Sequence, residues 1–233
     1  MRSTIALVAI LLIVRAESVE ARDQSGSPTT RPSTSSGRTG EPTPIDAERA
    51  FAADAKTLGQ WTAFRKWSTD DAVMFVPQPV NAHGFLKDRK DPPKAIDWWP
   101  TASYISCDGK VAVNTGGWKR PDGAVGYFST VWVRQPDGGW KWVVDGGDGL
   151  KDARPIPSRI KVQVASCKNT KKAYYEGLFF EGEDGGGASP DHTISWYWRV
   201  SPDGSRVFEA RLWNGKKRNS VIGDAITGSP ANK

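Results

Sequence analysis

One carboxylate in this chain stands where chemistry is possible. Asp145 ends the apolar run Trp140-Lys141-Trp142-Val143-Val144 and is followed by Gly146-Gly147. A carboxyl group at the end of a greasy strand loses water around its charged form, which raises its pKa and suits it to anchor a ligand or act as a general base. The bland alternative is a carboxylate that only binds the backbone at the strand end. Around Asp145 the pattern gathers Phe128, Thr130 and Trp132 on a neighbouring strand. Trp61, Phe64 and Met74 come from earlier segments, and Trp98-Trp99 lies beside Pro100. Rings of this kind wall a site for a small apolar or aromatic ligand, although aromatic clusters more often serve as core. Trp98 and Trp99 are placed at the pocket rim.

Other chemistry finds little support. The chain holds only two histidines, His83 and His192, both in expected loops, and His83 has only Asp88 and Asp91 nearby in sequence. No metal-ligand spacing, nucleophile elbow or phosphate loop is present, so no cofactor and no metal are implied. The formal charge of +6 invites an anionic partner, but the Lys and Arg residues are scattered and no nucleic-acid module is recognisable.

The elements that must position Asp145 follow from alternation and turn residues. Residues 111–147 read as three antiparallel strands joined by Arg120-Pro121-Asp122-Gly123 and Pro136-Asp137-Gly138-Gly139. A four-residue first turn pairs Thr115 with Phe128, Val113 with Thr130 and Val111 with Trp132. The second turn pairs Trp132 with Val143 and Thr130 with Asp145. These residues then share one face, while Ala112, Asn114, Trp118, Trp140 and Trp142 lie on the other. Both faces are apolar, so both must be covered.

Upstream, Thr43 is a helix cap, Pro44 suits the first helical position, and Asp46 favours the positive helix end. Phe51, Ala55 and Leu58 form one stripe; Gly59 interrupts it, and a second short helix carries Trp61, Phe64 and Trp67 before Ser68-Thr69-Asp70-Asp71 ends it. Residues 72–76 make a strand stopped by Pro77 and Pro79, and residues 82–87 hold one or two helical turns. Downstream, residues 156–233 read as a β-meander with strands near 160–165, 174–180, 193–200, 207–213 and 218–226.

The N-terminal end of the chain carries an export signal. Arg2, the apolar run 5–14 and Val19-Glu20-Ala21 form a signal peptide over residues 1–21. A run of that length is too short to anchor the mature protein, since a span needs about 20 apolar residues. The mature protein is thus expected in the periplasm or secreted. Residues 22–43 are a Ser/Thr/Pro-rich linker that cannot offset its ordering entropy. In an oxidising compartment Cys107 and Cys167 can form a disulfide closing a loop of about 60 residues. Two separate buried thiols are the alternative.

The order of these segments resembles the nuclear-transport-factor-2-like cone, and most of all its SnoaL-like branch, which includes secreted bacterial domains of unknown function. The residues carrying the resemblance are Phe51, Gly59-Gln60-Trp61, Asp71-Ala72-Val73, Gly126-Tyr127-Phe128, Val131-Trp132 and Gly138-Gly139-Trp140-Lys141-Trp142-Val143, within residues 45–148. The resemblance implies an α+β fold: a curved antiparallel sheet wrapped on N-terminal helices around a conical pocket. Residues 44–150 would form the cone and residues 151–233 a β-rich C-terminal extension. It also implies a possible homodimer through the sheet.

Ketosteroid isomerase, a member of this family and a standard case of carboxyl tuning, has its base before a proline at the end of the first strand and two oxyanion acids. The matching positions here are Val76, Phe51 and Thr130, so that set of acids is not carried over. The scytalone-dehydratase-like variant would need histidines in the cavity. Three roles remain: a small-molecule-binding domain, a lyase, isomerase or hydrolase using Asp145 as base, or a structural or dimerisation module of the envelope.

Overall fold

The computed structural model describes residues 40–173 and 183–228, all within a unit that begins at Gly40. The expected signal peptide, most of the linker and the strand near 174–180 lie outside the described residues.

Two helices open the fold. Helix α1 (Pro44–Thr57) starts with a reciprocal cap: the Asp46 backbone N–H donates to Thr43, and the Thr43 backbone N–H donates to the Asp46 carboxylate at 3.0 Å. Its buried stripe is Pro44, Ala47, Glu48, Phe51, Ala52 and Ala55, a helical spacing with one acid in it. Helix α2 (Gln60–Trp67) follows Gly59, whose φ of 107° belongs to the region that glycine tolerates. Its first turn is capped from a distance. Asp91 accepts from the backbone N–H groups of Trp61 (2.5 Å) and Thr62 (3.0 Å) and from the Thr62 hydroxyl (2.6 Å). A Cβ on Gly59 would stand 2.3 Å from the Asp91 carboxylate, so the glycine also makes room for the cap.

Strand β1 (Ser68–Phe75) begins where the sequence pattern placed the helix terminator; β2 (Pro79–Asn81) and α3 (Ala82–Leu86) follow. Strands β3 (Asp97–Ile105), β4 (Val111–Lys119), β5 (Val125–Arg134) and β6 (Trp140–Leu150) form the centre of a curved, mixed seven-stranded sheet in the order β2-β1-β6-β5-β4-β3-β7. Its β1–β6 and β3–β7 pairings are parallel. The last strand, β7 (Lys161–Val164), comes from the part of the chain expected to form the meander, yet it pairs with β3. Strands β8 (Glu183–Ala188), β9 (Ile194–Val200), β10 (Arg206–Trp213) and β11 (Arg218–Ile226) make a separate four-stranded antiparallel sheet.

The β4–β5 register corrects the sequence expectation by one residue. Thr115 pairs with Ser129, Val113 with Val131 and Val111 with Val133. The cause is the turn: Arg120 N–H bonds Ala124 O at 2.8 Å, so five residues, not four, lie between Lys119 and Val125, with Gly123 at φ 94°. A slip of one residue moves every side chain of a strand to the other face. Ala112, Asn114 and Trp118 therefore join the face of Phe128 and Trp132, while Val111 and Val113 turn to the back.

A second correction lies in β6. Thr130 does pair with Asp145, but a bulge sets Trp132 opposite Trp142 in place of Val143. Trp140 and Trp142, expected on the back, thus pack with Phe51, Ala63, Met74 and Trp132 against the helices.

Two cores result. One lies between the helices and the concave face of the large sheet. The other joins Val111, Val113, Val131 and Val144 on the back to residues of the second sheet, among them Trp196, Trp198, Phe208 and Leu212. The back face of the large sheet is therefore covered by the chain's own second sheet. Cys107 and Cys167 are bonded with their Cα atoms 5.2 Å apart, tying the β3–β4 turn to the segment after β7. Among the described residues no helix is long and apolar enough to cross a membrane.

Candidate functional site

The concave face encloses a cavity of about 580 Å³. Its walls come from α1 (Glu48, Phe51), α2 (Gln60, Trp61, Phe64), β1 (Met74, Phe75), and the segments before and within β3 (Ile96, Trp98). Strands β4 to β6 complete it with Trp118, Tyr127, Phe128 and residues 145–150. The rings support one another edge to face. Phe51 stands 4.8 Å from both Phe64 and Trp98, and Trp61 stands 5.5 Å from Phe64, centroid to centroid. Such contacts hold the wall in one arrangement before anything binds.

Asp145 projects into this space from β6. The Thr130 hydroxyl donates to its Oδ1 at 2.6 Å, and Oδ2 takes no hydrogen bond from the described residues. The side chain keeps some surface open to the cavity, yet protein surrounds it over the range at which water would solvate a charge. Desolvation therefore dominates and pushes its pKa up to about 7; the Thr130 hydrogen bond pulls the other way, and the Glu48 charge adds to the rise.

Glu48 is the group that the residue pattern did not disclose. It is 0 % exposed and accepts three N–H bonds. Trp98 Nε1 donates to Oε1 at 2.9 Å, and Trp132 Nε1 (2.8 Å) and Asn114 Nδ2 (3.1 Å) donate to Oε2. Burial raises its pKa and the three donors oppose that rise. Its signal in the sequence was its position, four residues after Pro44 and three before Phe51, inside the buried stripe. Its partners were hidden because Asn114 had been assigned to the other face of the sheet.

Of the expected site residues, Asp145, Phe128, Trp61, Phe64, Met74 and Trp98 border the cavity. Thr130 and Trp132 stand one layer behind: Thr130 orients Asp145, and Trp132, with no exposed surface, orients Glu48. Trp99 is not brought to the cavity. Successive side chains on a strand point to opposite faces, so with Trp98 turned inward Trp99 packs over Gly117 on the other side. His83 bonds Ser68 Oγ at 2.9 Å and does not border the cavity. Trp118, Tyr127 and Phe75 were overlooked, the first through the register slip.

The raised Asp145 pKa carries a stability consequence. The unfolded carboxyl ionises near its ordinary value of 3.8 and the folded one near 7. Between these values the folded state holds the extra proton, so this group makes the protein less stable as pH rises from about 4 to about 7, with no further change above. Asp145→Asn keeps the Thr130 bond and removes the charge. It is expected to stabilise the protein by about 2 kcal/mol at pH 8.5, less than the ~4 kcal/mol of a three-unit shift because the group keeps some solvent. The gain should shrink toward zero at pH 4, and urea denaturation of both proteins at the two pH values reads it. A difference that ignores pH would show that the carboxyl is not desolvated.

No protein-family model matches the chain, and no curated protein matches it in sequence. Over part of its length it is similar in fold to solved nuclear-transport-factor-2-like structures. A proposed ketosteroid isomerase from Parabacteroides distasonis is 18% identical, with a TM-score of 0.37, over 46% of this chain and 85% of that one. A nuclear transport factor 2-like superfamily protein from Salmonella enterica serovar Typhimurium is 17% identical, with a TM-score of 0.35, over 50% and 91%. The CaMKII hub of S. rosetta is 19% identical, with a TM-score of 0.34, over 47% and 98%.

Proposed function

We propose that this chain is an exported small-molecule-binding protein whose ligand sits in the aromatic-walled cavity of residues 44–150, with residues 151–233 as a β-rich extension that buttresses the sheet. The observation that carries this reading is the cavity itself: about 580 Å³, walled by preorganised rings, with one carboxyl oxygen of Asp145 taking no hydrogen bond from the described residues. Pockets of this size, apolar with few polar groups, are the usual form of a ligand site. Export is supported by the N-terminal signal in the sequence and by the Cys107–Cys167 bridge.

The test uses 2-naphthalenemethanol, a flat apolar probe with one hydroxyl. Binding followed by isothermal titration is expected to be saturable with one site. Trp61→Ala, which removes a wall ring that is partly exposed in the fold, should weaken it roughly tenfold, in line with the ~1–3 kcal/mol of burying such a surface. Undiminished binding by the variant would place the probe elsewhere.

One observation favours a second reading, an isomerase, lyase or hydrolase. A carboxyl with a pKa of about 7 is well matched to proton transfer at neutral pH. On that reading Asp145 is the base and Asp145→Asn abolishes turnover; full activity in that variant would end it.

A further inference from the structure

The cavity carries an excess of negative charge. Asp145 and Asp148 line it against the single cation Arg120, with Glu48 fully buried behind the wall, in a chain whose formal net charge is +6. The cavity thus opposes the sign of the molecule that contains it. Two of the three indole donors on its wall are used inside the protein, Trp98 Nε1 on Glu48 and Trp118 Nε1 on the Tyr127 carbonyl at 2.9 Å, while Trp61 Nε1 donates to none of the described residues. An acceptor remains. Asp145 Oδ2 takes no bond from the described residues. Glu48 stands behind this wall with no exposed surface and its carboxyl satisfied by three donors, so its charge acts on the cavity without touching an occupant.

A ligand that satisfies this wall brings donors and positive charge. An ammonium group carries three N–H donors and no acceptor. The rings of Phe51, Trp61, Phe64, Trp98 and Phe128 present faces and edges to the same space, and a cation near an aromatic face is stabilised by its quadrupole. Arg120 does not cancel this field from within. It belongs to the β4–β5 turn at the mouth, with its guanidinium 5.3 Å from the Trp118 ring.

We propose that the ligand class of this cavity is an apolar or aromatic amine, its ammonium held at Asp145 and its hydrocarbon body against the aromatic wall. This rests on the reading of the cavity as a binding site and adds the charge of the occupant. Binding then depends on the ionisation of Asp145. The groups that act on that carboxyl are Thr130 from β5, which donates to it, and Glu48 from α1; Arg120 from the β4–β5 turn lines the same cavity. An ammonium at Asp145 favours its charged form, so below pH 7 binding releases a proton and weakens with it.

Three probes of one shape separate the possibilities: 2-naphthylmethylammonium, 2-naphthalenemethanol and 2-naphthoate, titrated calorimetrically at pH 8 and pH 5.5. The ammonium is expected to bind at least tenfold tighter than the alcohol at pH 8, with the advantage falling to about threefold or less at pH 5.5. Asp145→Asn, checked for folding by circular dichroism, should erase the preference for the ammonium over the alcohol at pH 8. Equal or tighter binding of the alcohol overturns the amine proposal and leaves the cavity as a site for neutral ligands. Tighter binding of the naphthoate overturns it in favour of Arg120. If none of the three binds, the binding reading falls and the amine proposal falls with it.

Discussion

Glu48→Ala is expected to lower the stability of this protein by about 4 kcal/mol or more, the largest loss from any single polar side chain in the fold. Three N–H donors, from Trp98, Trp132 and Asn114, converge on that carboxyl. Each is left without its partner in the variant, and a buried donor without a partner costs about 1–3 kcal/mol. Release of the carboxyl's own desolvation cost offsets only part of this. Glu48→Gln is the informative companion. Its amide oxygen can take the Trp132 and Asn114 donors, but its NH₂ then meets the Trp98 N–H, donor against donor. A loss of about 2 kcal/mol is expected, smaller than for alanine and well away from zero. Urea denaturation gives both values, and a Gln variant within about 0.5 kcal/mol of the parent would mean that the pair of carboxyl oxygens is not what holds the three donors.

Trp132→Ala is expected to cost about 3–5 kcal/mol, the usual toll for emptying a large ring from a core. Trp132 has no exposed surface. It stands 6.0 Å from the rings of Phe51 and Trp67, and it donates one of the three bonds to Glu48. Trp132→Phe separates these roles. Most of the apolar contact survives while the N–H is lost, so about 1–2 kcal/mol should go with the hydrogen bond to a buried carboxyl. A Phe variant as damaged as the Ala variant would assign nearly all of the effect to that one bond. Thermal unfolding of the two variants side by side makes the comparison.

Both predictions concern contacts that no linear pattern displays, and the reason is specific. Local signals were legible wherever one segment determines its own geometry. Thr43, Pro44 and Asp46 announce the start of α1 because a cap, a fixed φ and a favourable charge act within one turn. Gly59 separates α1 from α2 because its φ of 107° suits no other residue well. Thr130 and Asp145 stand opposite each other as expected because the β5–β6 turn, with five residues in place of four, slips the register by one and the bulge before that pair cancels the slip.

The errors came where one extra residue decides a face. A turn of five residues in place of four exchanged the two sides of β4, and a bulge in β6 brought Trp140 and Trp142 inward. Apolar residues occupied both faces of those strands, so composition carried no warning of the slip. Glu48 was overlooked for a related reason. An acid on a helix reads as solvent-facing unless its partners are known, and these arrive from β3, β4 and β5. Asp91 was weighed only as a neighbour of His83, yet it caps α2 from 30 residues away.

Asp145 was therefore visible from the sequence alone as a carboxylate ending an apolar strand. The disulfide-competent cysteines, the helices and the turns were visible with it, because each depends on a few adjacent residues or on residue type. Only the tertiary structure decided that a second carboxyl lies buried behind its cavity wall, that Trp98 turns in and Trp99 out, and that the back of the sheet is covered by β8–β11. Those outcomes depend on register and on how separate segments meet, and register is set by turns and bulges whose effect on every later residue cannot be read from the residues themselves.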